Sequence, residues 1–401
     1  MGCGAKMGNT ELWVWLTSKE FINSGKVTSL LEHFDSIEEI YNADFYDDIT
    51  GIYEKEKRDL LDKRLDGAEK IIEKINAIGA RIVTFEDENY PPPLRRIAEP
   101  PYVLYMKGKE MDWENTFSLS VIGSRQCTDY GRVVCQKLCY ELASKGVTIV
   151  SGMARGIDSI SSIAAIRAGG STIAVLGCGI DIVYPPENAK LMEAIEQYGV
   201  VMTEYPPSCP PYGHNFPQRN RIISGLSRGL LVIEAGKKSG THTTIKRTWE
   251  SGKEVFAVPG GIFHKESQGT NDWIKKGAIL TTCANDIIEK YPEVFDKLKA
   301  DLKKPQNIKI PEWRTYEKKE ALKKKPEKPQ PRKIDINDKR FEGLNPEERL
   351  IIQVILNGAS HIDEIARESK IKVAKLNAIL PILEMMGIIE KAAGNKYTLG
   401  M

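Results

Sequence analysis

From Trp113 onward, short continuous apolar runs alternate with helical patterns: SLSVIGS, YGRVVCQKLCYELASKG, VTIVSG, IDSISSIAAIRAGG, STIAVLG, NAKLMEAIEQYG, VVMTEYP, GLLVIEA, TTIKRTWESGK and EVFAVPG. A strand with no polar face must be covered on both sides, and a helix between consecutive strands supplies that cover while returning the chain for parallel pairing. The alternation therefore predicts βαβ units and an α/β fold, a Rossmann-like parallel sheet of about 180 residues.

Flanking segments read differently. Between Thr10 and Lys74, ELWVWLTSKEF, VTSLLEHF, SIEEIY and EKRDLLDKRLDGAEKIIEKI carry apolar residues at three- and four-residue spacing, which predicts a small helical domain over 1–78. The strand ARIVTF and the proline-rich NYPPPLRRIAEPPYVLYMKG then lead into the sheet domain, placed at 79–300. Residues 301–343, rich in Lys, Pro and Glu, hold too few apolar side chains for a core and read as a basic linker. In 344–401, three helical patterns and a terminal strand pair around Gly394 and Asn395 predict a winged helix. Its third helix would expose Lys372, Lys375 and Asn377, and Pro381 should kink or end it. Such modules read DNA or dock proteins, and this sequence is compatible with both.

Bulk charge does not choose a partner, because 57 Lys and Arg against 55 Asp and Glu leave a net charge of +2. Seven cysteines without a CxxC pair suggest neither a disulfide framework nor a zinc site. No secretory h-region and no run of about 20 apolar residues is present, and Lys6 breaks the acylation pattern, so a soluble cytoplasmic protein without membrane contact is expected.

The chemistry concentrates in four segments at predicted carboxyl ends of strands, where open parallel sheets bind their ligands. VIGSRQCTDYG offers Gly123, Ser124 and Arg125; VSGMARGID offers Gly152, Arg155 and Gly156 before a helix starting near Asp158. FPQRNRIISGLS, read as a loop, holds Phe216, Arg219, Asn220 and Arg221, while EAGKKSGTHTT holds Lys237, Lys238, Ser239 and Gly240. Arginines and free backbone N–H groups converging on one sheet edge would track a phosphate backbone. His214 and His242 lie near this groove, where a structural role is expected for both.

Other chemistries find less support. The GCG of VLGCGIDIVYP lacks the third glycine of a dinucleotide turn, and Tyr184-Pro185-Pro186 stands where its helix would begin. There is no P-loop, HExxH or GxSxG, so no cofactor, metal or catalytic residue is expected.

Taken in order, GSRxxTxYG, SGxAxGID, TIAVLGxGxDxxYPxxN, FPxRNRIISGLS, VxEAxxxSGTxTT and VFAVPG resemble the DNA processing protein A (DprA, or Smf) family across roughly residues 80–290. The resemblance implies a Rossmann-like core flanked by a SAM-like or helix-hairpin-helix-like N-terminus and a winged helix. It implies a homodimer without catalysis that binds single-stranded DNA and helps load a RecA-type recombinase in natural transformation. Carried over by motif, Arg125, Arg219, Asn220 and Arg221 would hold phosphates, Phe216 would stack on a base or buttress its neighbours, and Gly152, Arg155, Ser239 and Gly240 would shape the groove. This chain departs from the family pattern at Ser162 and His242, and its basic residue near YPxxN is displaced to Lys190. An alternative is a LOG-like nucleotide phosphoribohydrolase, suggested by VPGGIFHKESQGT, whose Gly-Thr pair comes eight residues late and lacks a following Glu in phase.

Overall fold

Residues 9–295, 298, 303–306, 308, 341, 343–392 and 396–399 are described by a computed structural model, in which Met1–Arg314 and Thr315–Met401 form two compact units. Most of the expected basic linker, and the first eight residues, lie outside the described residues.

Five helices open the first unit: α1 (Asn9–Thr17), α2 (Ser24–Leu31), α3 (Ile37–Asn42), α4 (Glu54–Leu61) and α5 (Asp66–Ala77). Asn23 and Ser36 cap α2 and α3 by accepting the Lys26 and Glu39 N–H groups, as short polar side chains do at helix starts. Helix α1 buries all of Leu12–Leu16, and Trp13 stacks on Tyr102 with ring centroids 5.5 Å apart. The helices thus share one apolar core with the sheet, through Tyr102, Val103, Ala174 and Val201.

The sheet comprises β1 (Arg81–Thr84), β2 (Val103–Gly108), β3 (Ser118–Ile122), β4 (Thr148–Ser151), β5 (Thr172–Val175), β6 (Val200–Thr203), β7 (Gly229–Val232), β8 (Glu254–Ala257) and β9 (Ile279–Leu280). Their order is β1-β2-β6-β5-β4-β3-β7-β8-β9, parallel from β6 to β9, with β1 and β2 antiparallel at one edge. Helices α6 (Asp129–Ser144), α7 (Ile157–Arg167), α8 (Ala189–Tyr198), α9 (Asn215–Leu226), α10 (Thr241–Glu250) and α11 (Gln268–Lys275) make the crossovers and cover the faces. Alternate strand residues serve opposite faces: Leu119, Ile149 and Leu231 pack with α6 and α7, Val150, Leu230 and Val232 with α9 and α10. Two positions of β3 facing α9 are serines, whose hydroxyls donate to the Leu226 and Ile223 carbonyls and let that helix lie close. Strand order reverses between β3 and β7, which opens a crevice at the carboxyl ends beside β3.

The second unit has α12 (Pro346–Leu356), α13 (Ile362–Ser369), α14 (Val373–Met385) and the antiparallel pair β10 (Ile389–Ala392) and β11 (Lys396–Leu399), a winged helix. Asn345 accepts the Glu347 and Glu348 N–H groups while Glu348 returns to the Asn345 N–H, and Pro346 takes the first helical position. Helix α14 continues through Pro381 to Met385 instead of ending there. Lys372, Lys375 and Asn377 are exposed on it, with Lys375 paired to Glu347. Among the described residues, no helix is long and apolar enough to cross a membrane.

Candidate nucleic-acid interface

The turns after β3 and β4 are built against each other. Gly156 has φ +73° and precedes α7; a Cβ there would lie 2.3 Å from the Ser124 carbonyl oxygen, which accepts the Ile157 N–H at 3.2 Å. Gly123 is equally constrained, since a Cβ would meet Ile157 at 2.7 Å. These two glycines let the Gly123–Arg125 and Gly152–Gly156 turns touch. Glu234, buried at the end of the β7 run, fixes the other side by accepting the Thr128 N–H at 2.9 Å and the Thr128 hydroxyl. Sequence reading recorded this Glu only as part of a motif; its partner lies 106 residues away.

Arg125 is exposed, with its guanidinium carbon 5.5 Å from the Phe216 ring centroid. The Tyr184 ring packs on Phe216 with centroids 5.5 Å apart, and the Phe216 ring comes within 2.9 Å of the place a Cβ on Gly177 would take. Together Arg125, Gly152, Arg155, Gly177, Tyr184 and Phe216 line a cavity of about 50 Å³ at the carboxyl ends of β3, β4 and β5. Ligand pockets run to about 300–1,000 Å³, so this cavity suits a base edge or a phosphate rather than a whole dinucleotide. Arg155 is half-buried and bonded to Glu187 at 2.6 Å.

The segment expected to be a loop is helix α9. Pro217 is tolerated because it falls in the first turn, where N–H groups have no intrahelical partner. At the far end Lys253 donates to the Ser224 and Gly225 carbonyls at 2.7 and 2.9 Å, and burial pushes its pKa down to about 8. The helical path turns both motif arginines inward. Arg219 is 3 % exposed and donates to the carbonyls of Gly152 and Val175; a Cβ on Gly152 would lie 2.5 Å from its Nη2 and 2.7 Å from the Asp158 carboxylate. Burial raises the Asp158 pKa even though Arg219 draws it down, and burial lowers that of Arg219 against the pull of Asp158. Arg221, 9 % exposed, grips Glu204 with both Nη atoms at 2.8 and 2.6 Å and reaches Ser24 of α2 at 2.9 Å. Burial disfavours its charge, yet Glu204 more than offsets this and raises its pKa. Both arginines, expected to hold phosphates, are thus buried and turned toward internal carbonyls and carboxylates in this structure. Asn220 is half-buried and accepts from Arg219 Nε at 3.2 Å.

Two further groups of expected residues lie outside the cavity lining. Lys190 is exposed in the first turn of α8. Lys237, Ser239 and Gly240 form the turn from β7 into α10, where Ser239 Oγ accepts from the Thr241 hydroxyl at 2.8 Å. His242 is structurally committed: its Nδ1 accepts from Trp273 Nε1 at 2.8 Å, so Nε2 is the nitrogen that donates to the Gly236 carbonyl at 2.8 Å. His214 is exposed and stacks on Tyr212 at 5.6 Å. Tyr184 also lines the cavity, a residue that the sequence offers as part of the YPxxN motif and as an argument against a dinucleotide turn, with no binding role assigned to it.

A doubly covered parallel sheet with glycine-built turns at its carboxyl edge, followed along the chain by a winged helix, defines an α/β protein of the Rossmann-like class. The family model described as DNA recombination-mediator protein A matches residues 81–292, and the DprA winged helix domain matches 338–395; the chain belongs to this DprA/Smf family. Protein Smf of Escherichia coli is 43 % identical over 209 residues, 52 % of this chain and 56 % of that protein, so the matched region spans little more than half of it. DNA processing protein DprA of Bacillus subtilis is 39 % identical over 54 % of this chain and 72 % of its own. The X-ray structure of DprA from Streptococcus pneumoniae superposes with a TM-score of 0.61 at 32 % identity, covering 71 % of this chain and 99 % of that one. The family match includes the VPGGIFHKESQGT segment that had suggested a LOG-like enzyme, and that reading is not favoured.

Proposed function

We propose that this chain binds single-stranded DNA along the carboxyl edge of its parallel sheet and acts in DNA processing during transformation, passing the strand to a RecA-type recombinase. The observation that carries this reading is the cavity where Arg125, Phe216 and Tyr184 meet the Gly152–Arg155 turn. An exposed guanidinium beside an aromatic ring supplies what an unpaired strand needs, a charge for the phosphate and a face for the base. Arg125 holds a phosphate, Phe216 and Tyr184 take a base, and Lys190, Lys237 and Asn220 border the path. Arg219 acts through the Gly152 turn, which it props from beneath. The protein works as a cytoplasmic homodimer and performs no catalysis of its own, as the family resemblance implies.

Fluorescence anisotropy with labelled single- and double-stranded oligonucleotides over a salt series tests this. The intact protein should prefer the single strand, and Arg125→Ala should weaken binding about tenfold and lessen the log–log salt slope by about 0.7, one phosphate contact. Equal affinity for both DNA forms, or an unchanged slope in the variant, would refute the assignment.

A further inference from the structure

Phe263 is 91 % exposed and Ile262 74 %, in the turn that follows β8. Apolar side chains held this far into water on a fixed turn call for a partner. The turn is fixed. The Asn271 side-chain amide bonds both Gly260 backbone groups at 3.2 and 2.9 Å, the Tyr130 hydroxyl donates to the Pro259 carbonyl at 2.8 Å, and His264 N–H closes onto the Gly261 carbonyl at 3.0 Å.

Its neighbours are cationic. Ala235 N–H bonds the Glu266 carbonyl at 2.8 Å and Gly269 N–H bonds the Ala235 carbonyl at 2.7 Å, which ties the segment to the turn bearing Lys237 and Lys238. Those two lysines and Lys265 are exposed. Strand order β5-β4-β3-β7-β8 puts this turn on the same carboxyl edge as the Phe216 cavity, which spans the ends of β5, β4 and β3, so that the β8 end lies two to four strand spacings from it, about 10–19 Å. The Gly123–Arg125 turn, whose Arg125 lines the cavity, is the part of it nearest β7.

We infer that the Ile262–Phe263 turn is a second base-stacking platform, reached by a single strand that already occupies the Phe216 cavity, with Lys237, Lys238 and Lys265 neutralising the phosphates beside it. An aromatic ring interleaved with lysines at the end of a cationic edge matches the chemistry of an unpaired strand, whose bases offer faces and whose backbone offers charge. A protein surface would be served by Phe263 alone; the three lysines select the nucleic acid. The inference rests on the single-strand reading above and adds a length requirement to it. A strand too short to span the edge cannot feel Phe263.

Anisotropy titrations of the full chain with thymidine oligomers of about 3 and about 20 nucleotides decide it, the first too short at about 3.4 Å per stacked nucleotide to span the edge and the second longer than the about 4–16 nucleotides of single-strand sites of this kind. Phe263→Ala should bind the short oligomer like the parent protein and the long one about tenfold more weakly, while Phe263→Tyr should bind both normally. Phe216→Ala should weaken both lengths. Unchanged affinity of Phe263→Ala for the long oligomer overturns the platform and leaves the Phe216 cavity standing. A shift in oligomeric state of Phe263→Ala, read by sedimentation, also overturns it and assigns the turn to an interface between copies. Failure of the parent protein to bind either oligomer removes the single-strand reading itself, and the platform with it.

Discussion

Replacing Arg219 with alanine should cost about 3–5 kcal/mol of stability at neutral pH, because it leaves a buried carboxylate without its compensating charge. The Asp158 carboxylate and the Arg219 guanidinium flank the one position that a Gly152 side chain would occupy, and neither reaches solvent appreciably. The same change strips donors from the carbonyls of Gly152 and Val175. The loss carries a pH signature. Burial already holds the Asp158 pKa above its ordinary value despite the guanidinium, so its ionisation works against the fold. The favourable contribution of such a group is complete below the unfolded value, about 3.9, and is lost as pH rises through the folded one. Without Arg219 the folded value climbs further, and the deficit of the variant relative to the parent should widen as pH rises from about 4 to neutrality. Urea unfolding at both ends of that range measures the widening, and a second substitution, Asp158→Asn, should recover much of the loss at the upper end. An equal deficit at both ends, or no recovery by the second substitution, would show that the two charges do not depend on each other.

The arginines of FPQRNR illustrate what sequence can and cannot convey. Runs such as VTIVSG and GLLVIEA announced the parallel sheet because burial on both faces leaves no charged residue and no alternating polar face in the strand, a local property. The glycines at 123, 152 and 156 announced the carboxyl-edge turns for a comparable reason, since few other residues permit two backbones to touch. Phe216 and Arg125 were legible as chemistry, and they do meet. The inward turn of Arg219 and Arg221 was not legible. A phenylalanine, a proline and four polar side chains look like a solvated loop, whereas the helix is possible because the proline sits in its first turn. Whether a cation faces water or an internal acid depends on partners far away in the chain: Glu204 lies 17 residues from Arg221, and Ser24 lies 197. No periodicity within the segment encodes those distances. Glu234 escaped for the same reason, as a buried acid whose partner belongs to another strand-to-helix turn.

Arg221→Ala should loosen the N-terminal helices while sparing single-strand affinity, the opposite of what the Arg-Asn-Arg pattern suggests on its own. The guanidinium of Arg221 spans three elements: Glu204 just beyond β6, Ser24 at the start of α2, and Glu99 of the proline-rich segment, whose carboxylate is 3.8 Å from Nε. A planar fork with fixed donors can satisfy partners from several directions at once, which an ammonium on a flexible stem cannot. Truncation leaves Glu204, whose side chain is 15 % exposed, without its bidentate partner, at a cost of about 3 kcal/mol. That cost should fall unevenly. The helical segment meets the sheet through the shared apolar core that includes Trp13 and Tyr102 and through polar ties of which this is the charged, buried one, so its loss should raise amide exchange in α1–α5 before it reaches β3, β4 and β5. Arg221→Lys should lie between the parent and the alanine variant, keeping the charge and losing the fork. DNA affinity provides the contrast: the exposed Arg125 should dominate it, and Arg221→Ala should change it by less than about twofold, the range of surface-distant substitutions. If exchange in the helices is unchanged and single-strand binding collapses, Arg221 reaches the strand after all, and the closed arrangement with Glu204 belongs only to the unliganded protein.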